Sequence, residues 1–255
     1  MKQVALAVAG PVSVLLAHYA AVIPHEYAHS FMAFALGYKS NPLIIHWGGR
    51  SIANLLLLIN INEQVDYAAM FARGDGLAAA LVGFAGPGLA NGTLYLLSLC
   101  LLRLPVVRGN ALLFTQVFWF SFMNVGNFYD YVPIRTFASR GDIAHITQGL
   151  GISPWVALIV LGIPTAAALW FLFARMLPLA LGRMAPSSPF RQGIIVTVSV
   201  VIMFGYFGLV GLVGYDEASH VLSVLSLYLI LVMLILCWPT RRWMRARIEA
   251  SKAAG

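Results

Sequence analysis

His25, Glu26 and His29 stand together as His-Glu-Tyr-Ala-His, flanked by Val12 to Ile23 and Phe31 to Leu36, which carry no charge. On a helix, residues four apart share a face, so the two imidazoles can converge on one ion. Glu26 then stands beside them, within reach of a water at the ion's open position. The chemistry this trio supports is metal-assisted hydrolysis with a carboxylate as the base. In a chain with six His among 255 residues, the pattern is expected by chance about 0.002 times, so coincidence competes poorly. An ionised glutamate at membrane depth costs at least about 2.5–3.5 kcal/mol unless something binds or neutralises it. Glu26 therefore needs a task that justifies its place.

Two histidines leave a tetrahedral zinc short of a third protein ligand, with the fourth position kept for water. Two aspartates lie in suitable surroundings: Asp130, at the end of an apolar run, and Asp142, in Gly141-Asp142-Ile143-Ala144-His145. Glu63, Asp66 and Asp75 read instead as solvated loop acids. Asn124, Asn127 and Asp130 recur at i, i+3 and i+6, which makes one polar ridge on a helix otherwise rich in Phe and Trp. Read from the residues alone, such a ridge serves an interhelical hydrogen bond. His18 lies seven residues before His25, nearly on the same face, and reads as an interhelical donor or a support of the metal. His145, one turn beyond Asp142, is a candidate second partner for that aspartate. His46 sits beside Trp47 and two glycines.

The elements that must position these groups are helices in a membrane. The chain is 60% hydrophobic and 10% charged, with a mean hydropathy of +0.84. Soluble globular domains run about 25% charged, so that class is excluded and a polytopic, all-α membrane protein is expected. Apolar runs of spanning length occur at Pro11–Leu36, Gly76–Leu102, Ala111–Tyr129, Pro154–Leu177, Ile194–Gly214 and Ala218–Trp238, which predicts six transmembrane helices. The first is expected to start near Pro11, to kink at Pro24 beside the metal site and to stop at Gly37. Leu43 to Ile61 predicts short strands or a re-entrant hairpin rather than a helix. Gly205, Gly208, Gly211 and Gly214 form a small-residue stripe for close helix packing.

The net charge of +7 comes largely from Arg241, Arg242, Arg245, Arg247 and Lys252 after the last apolar run. That placement suits a membrane-surface tail and argues against nucleic acid as a partner. Cys100 and Cys237 lie in apolar runs and predict no disulfide. The whole chain, 1–255, reads as one integral membrane domain. Its partners are the lipid bilayer and a membrane-borne substrate, and the sequence leaves its oligomeric state open.

His25 to Gly37 resembles the HExxHxxxAxxxG segment of the site-2 protease family of intramembrane zinc metalloproteases. Ala85-Gly86-Pro87-Gly88-Leu89-Ala90-Asn91 resembles that family's AGPxxN segment. The family's third element is an Asn-x-x-Pro segment followed by Leu-Asp-Gly. The similarity is looser here, in Asn127-Phe128-Tyr129-Asp130-Tyr131-Val132-Pro133, where five residues rather than two separate Asn from Pro, followed after an insertion by Gly141-Asp142. The resemblance implies a protease-like core over 11–151, with 152–255 supplying additional helices and the basic tail. It further implies one Zn2+ per chain held by His25, His29 and Asp142, with Asp130 as the alternative third ligand. By the same resemblance Glu26 is the general base, and Asn127 or Asn124 positions an unwound substrate. The implied substrate is a transmembrane protein or peptide, and the expected location is a bacterial inner membrane.

A metal-ion transporter would also place His and Asp within a membrane, but it gives Glu26 no role. A non-catalytic scaffold that keeps the metal site is a further alternative. Charge counting puts both termini in the cytoplasm and the Asp142 loop on the opposite side. The family resemblance favours a site that opens toward the cytoplasm.

Overall fold

The computed structural model describes residues 2–213 and 216–253, and the chain is 77% helical. Among the described residues, four helical stretches are long and apolar enough to cross a membrane: Gly76–Leu101, Pro154–Met184, Pro189–Leu212 and Glu217–Cys237. Their outward faces carry bare apolar side chains, such as Ile159, Ile163, Leu231 and Ile235. That is the surface of a membrane-embedded protein, where lipid rather than water is the solvent.

Helix α1 runs over Lys2–Ala35, so Pro11 and Pro24 both lie inside it. The expected start near Pro11 is thus corrected: the chain enters the helix nine residues earlier, at Lys2. Its end follows the expectation. Gly37 takes φ +79°, its N–H bonds the Phe34 carbonyl at 3.0 Å, and the Tyr38 N–H reaches back to Ala33 O at 2.8 Å. This paired closure needs a left-handed residue, which glycine supplies without strain.

The region read as strands holds a helix. Two-residue strands β1 (His46–Trp47) and β2 (Ile61–Asn62) pair antiparallel, and between them lies α2 (Ile52–Leu57). Ser51 caps that helix through the Asn54 N–H, and Leu58 ends it in the left-handed conformation. Asn54, buried inside the loop, bonds Trp47 O, Gly49 O and the Asn60 N–H. One amide thus supplies what a β-ladder would otherwise have to provide. Tyr19, His18 and Tyr206 bond the α2 carbonyls of Leu55 and Leu57, which fastens the loop to α1 and to the fifth expected span.

After α3 (Tyr67–Ala72), α4 (Gly76–Phe84) widens into a π-helical turn over Ala85–Asn91 and continues as α5 (Gly92–Leu101). Helix α6 (Pro105–Gly109) leads to α7 (Ala111–Tyr129), the centre of the core. There Phe114, Phe118, Trp119 and Phe122 are buried, with Ala17 and Ala21 of α1 in the same cluster. Helix α8 (Asp142–Leu150) runs back along α4. A Cβ on Gly76 would stand 2.6 Å from Gly149 O, and one on Gly83 would stand 2.9 Å from Asp142 O and 3.2 Å from the His145 Cβ. The two helices touch backbone to backbone, which only glycine permits.

The C-terminal helices are α9 (Pro154–Phe171), α10 (Leu177–Met184), α11 (Pro189–Val200) and α12 (Glu217–Cys237). Gly208 and Gly211 press against Ser226 and Ser219 of α12, whereas Gly205 meets only ordinary contacts. Gly214 of the expected stripe lies outside the described residues. Four of the five basic tail residues belong to α13 or its first turn; α13 spans Arg242–Ala253, and its Met244 and Ile248 are buried in the core.

Because Gly149 seats α8 on α4, Gly149→Val should drive the two apart and pull Asp142 away from the histidines. We expect this variant to reach the membrane but to bind an added divalent metal ion at least 10-fold more weakly than the parent, about 1.4 kcal/mol. Isothermal titration of the purified variant checks this, and unchanged affinity would contradict the packing role.

Candidate metal centre

Helix α1 presents His25 and His29 on one face, and both imidazoles are buried. Their Nε2 atoms stand 3.1 Å apart. Asp142 Oδ2, at the start of α8, lies 3.2 Å from His25 Nε2 and 3.3 Å from His29 Nε2. Ligands at about 2.0–2.1 Å from a tetrahedral zinc stand roughly 3.3 Å from one another, so this triangle has the right size.

Two further observations fit a cation at the centre of the triangle. Asp142 Oδ2 is buried and accepts no hydrogen bond, a costly state for a carboxylate oxygen unless an ion satisfies it. Gly86 faces the same point. A Cβ there would come within 2.6 Å of His25 Nε2 and nearer still to His29 Nε2, so any other residue would fill the space the ion needs. Pro87, next in sequence, removes an N–H from the helix and so favours the widened turn over Ala85–Asn91.

That turn also orients the ligands. His25 Nδ1 meets Asn91 Oδ1 at 2.6 Å, and His29 Nδ1 meets Val82 O at 2.6 Å. Both partners are acceptors, so each Nδ1 carries the proton and each Nε2 turns its lone pair to the centre. The Asn91 amide donates in turn to Ala21 O at 3.0 Å and to Asn124 Oδ1 at 2.9 Å. Asn124 donates onward to Phe120 O at 2.8 Å. A hydrogen-bonded chain thus links α7 through the π-helical turn to a ligand on α1.

Of the two aspartates the sequence left open, Asp142 joins the histidines and Asp130 does not. Asp130 is buried in an ion pair with Arg135. Glu26 is buried beside the centre, close enough to His29 and Asp142 to interact with both electrostatically. Asn124 is an interhelical hydrogen-bond partner, while Asn127, also buried, makes no side-chain hydrogen bond among the described residues. His18 is not brought to the centre: its Nε2 meets Leu57 O at 2.9 Å. His145 stacks on Tyr67, with ring centroids 3.6 Å apart; its interaction with Asp142 is electrostatic and no hydrogen bond joins the two. Glu63, read as a solvated loop acid, is half-buried and interacts electrostatically with Glu26 and His29.

Sequence reading missed Tyr131, whose hydroxyl lies 2.9 Å from His25 Nε2. It missed Asn91 as a partner of His25, although Asn91 closes the AGPxxN segment, and spacing from the histidines could not show the contact. No protein-family model, curated protein or solved structure matches the chain.

Asp142→Ala should empty the centre, whereas Asp130→Ala should keep zinc, because the second carboxylate serves Arg135. Asn91→Leu should weaken zinc binding by about 10- to 100-fold, the usual effect of losing a partner that orients a ligand. Gly86→Ala should bind no zinc while remaining folded. Elemental analysis of the four purified variants checks these expectations, and full zinc in Asp142→Ala would contradict the assignment.

Proposed function

We propose that this chain is an intramembrane zinc metalloprotease of the site-2 protease kind, which hydrolyses a peptide bond in or near a transmembrane segment of its substrate. The observation that carries this reading is the triangle of His25, His29 and Asp142, of zinc size, with Glu26 buried beside it. A transport site needs its ligands too, but it has no use for an acid held next to them.

Zinc, when bound, polarises the scissile carbonyl and makes a nearby water acidic enough to attack at neutral pH. Glu26 accepts the proton of the attacking water and delivers it to the departing amine nitrogen. Asn91 and the Val82 carbonyl keep both imidazoles in the tautomer that offers Nε2. Gly86 leaves the reacting space open.

The reading includes six spans, with α1 and α7 joining the four apolar stretches. Helix α1 has 34 residues and α7 has 19, enough at 1.5 Å per residue to cross a core of about 30 Å or most of it. The segment around α2, with Ile52, Leu55 and Leu56 bare, would dip into the bilayer as a re-entrant loop beside the site. The β1–β2 pair beside it would offer backbone groups to an unwound substrate strand, and Asn127 would hold that strand's backbone. A bacterial inner membrane is the expected compartment.

Glu26→Gln should retain close to one zinc per chain yet lose cleavage of an apolar transmembrane peptide by at least about 100-fold, since the amide cannot accept a proton. A cleavage assay on the reconstituted variant checks this. Turnover at the wild-type rate would remove the general base from the reading.

A further inference from the structure

Tyr131 touches the metal triangle, and neither ligation nor proton transfer accounts for it. Its hydroxyl lies 2.9 Å from His25 Nε2, and its ring is stacked on the His25 imidazole, with centroids 5.0 Å apart and planes at 16°. The Arg135 guanidinium sits over the same ring, 4.0 Å from its centroid. Asp130 holds Arg135 in an ion pair. The backbone completes the clamp. Pro133 disfavours the helical conformation for the residue before it, and Val132 accordingly leaves the helix at φ −137°, ψ 97°. Tyr131 is thus the last residue before the break, presented to the site on a fixed base.

His25 Nε2 can accept the phenol's proton only while its lone pair is free. With that lone pair given to an ion, the hydroxyl of half-buried Tyr131 is free to donate to another acceptor at the same place. Under the proteolytic reading, the oxygen arriving there is that of the scissile carbonyl. We propose, resting on that reading, that Tyr131 donates a hydrogen bond to this oxygen and stabilises the negative charge it gains as the carbon becomes tetrahedral.

The step balances without further reagents. The water oxygen bonds to the carbonyl carbon, the π pair moves to the carbonyl oxygen facing Tyr131, and Glu26 takes the water's proton. When the C–N bond breaks, its electron pair goes to nitrogen, which receives that proton from Glu26. Tyr131 keeps its own proton throughout. The assignment also gives Asp130 a purpose: it anchors the arginine that holds the tyrosine.

The test compares wild type, Tyr131→Phe and Tyr129→Phe, all zinc-loaded. Tyr129 is a control because its hydroxyl bonds Ser226 elsewhere in the core. Zinc content is measured, with the affinity for an apolar phosphinic peptide, whose tetrahedral anionic group mimics the transition state, and kcat and KM on a fluorogenic apolar peptide. Tyr131→Phe should keep its zinc, bind the phosphinic peptide about 10- to 100-fold more weakly, and lose about 100- to 1,000-fold in kcat with KM little changed. Tyr129→Phe should match wild type in phosphinic affinity. Loss of zinc from Tyr131→Phe would make the phenol part of the metal cage instead, and equal phosphinic affinity in wild type and Tyr131→Phe would remove its role. A zinc-loaded wild type that cleaves no peptide would count against the proteolytic reading; the affinity ratio would still decide the role of Tyr131.

Discussion

Helical periodicity delivers His25 and His29 as a pair, but the third vertex has to be carried to them from a distant part of the chain. What carries it is the bare contact between α4 and α8, where Gly76 and Gly83 meet Gly149, Asp142 and His145 with no side chain between. In a bilayer, helices gain little by hiding apolar surface from one another, since lipid is as apolar as leucine, so close approach depends on small residues. Once α8 is seated, Asp142 brings a carboxylate oxygen to the histidines that no hydrogen bond satisfies. The rest of the site is arranged around that oxygen and the cation it calls for.

Proline breaks serve the centre from two sides. Pro87 lies in the widened turn that faces Gly86 toward the triangle, lets Val82 O accept from His29 and places Asn91 behind His25. Pro133 ends the helix that carries Asn124 and Asp130 and leaves Tyr131 facing the triangle. Irregular backbone at membrane depth is tolerated where it is buried in protein or lines a cavity, and here both irregular turns face the site.

The sequence made the core of this site legible because its signal is local. Two histidines four apart need only a helix to converge, and the apolar flanks of the motif guarantee one. Asp142 was legible as one of two candidates. Choosing between them depends on Arg135, five residues beyond Asp130, which pairs with it and withdraws it from ligation. The contacts of Asn91 and Tyr131 with His25 were not legible, because each follows from a proline-induced departure from helical spacing. The Leu43–Ile61 segment was legible only in part: short strands pair there, but with a helix between them. Its Ile and Leu content suits strands as well as a short helix with bare apolar side chains, and Asn54, with the Ser51 cap, favours the helix. Glu63 looked like any loop acid because nothing local says that the chain folds it back toward Glu26.

If His25, His29 and Asp142 hold a zinc ion, X-ray absorption at the zinc edge of the purified protein should show one zinc per chain with nitrogen and oxygen neighbours at about 2.0–2.2 Å, two of them imidazoles, and no sulfur. A protein that purifies without zinc and takes up none, or a shell containing sulfur or a single imidazole, would contradict that assignment.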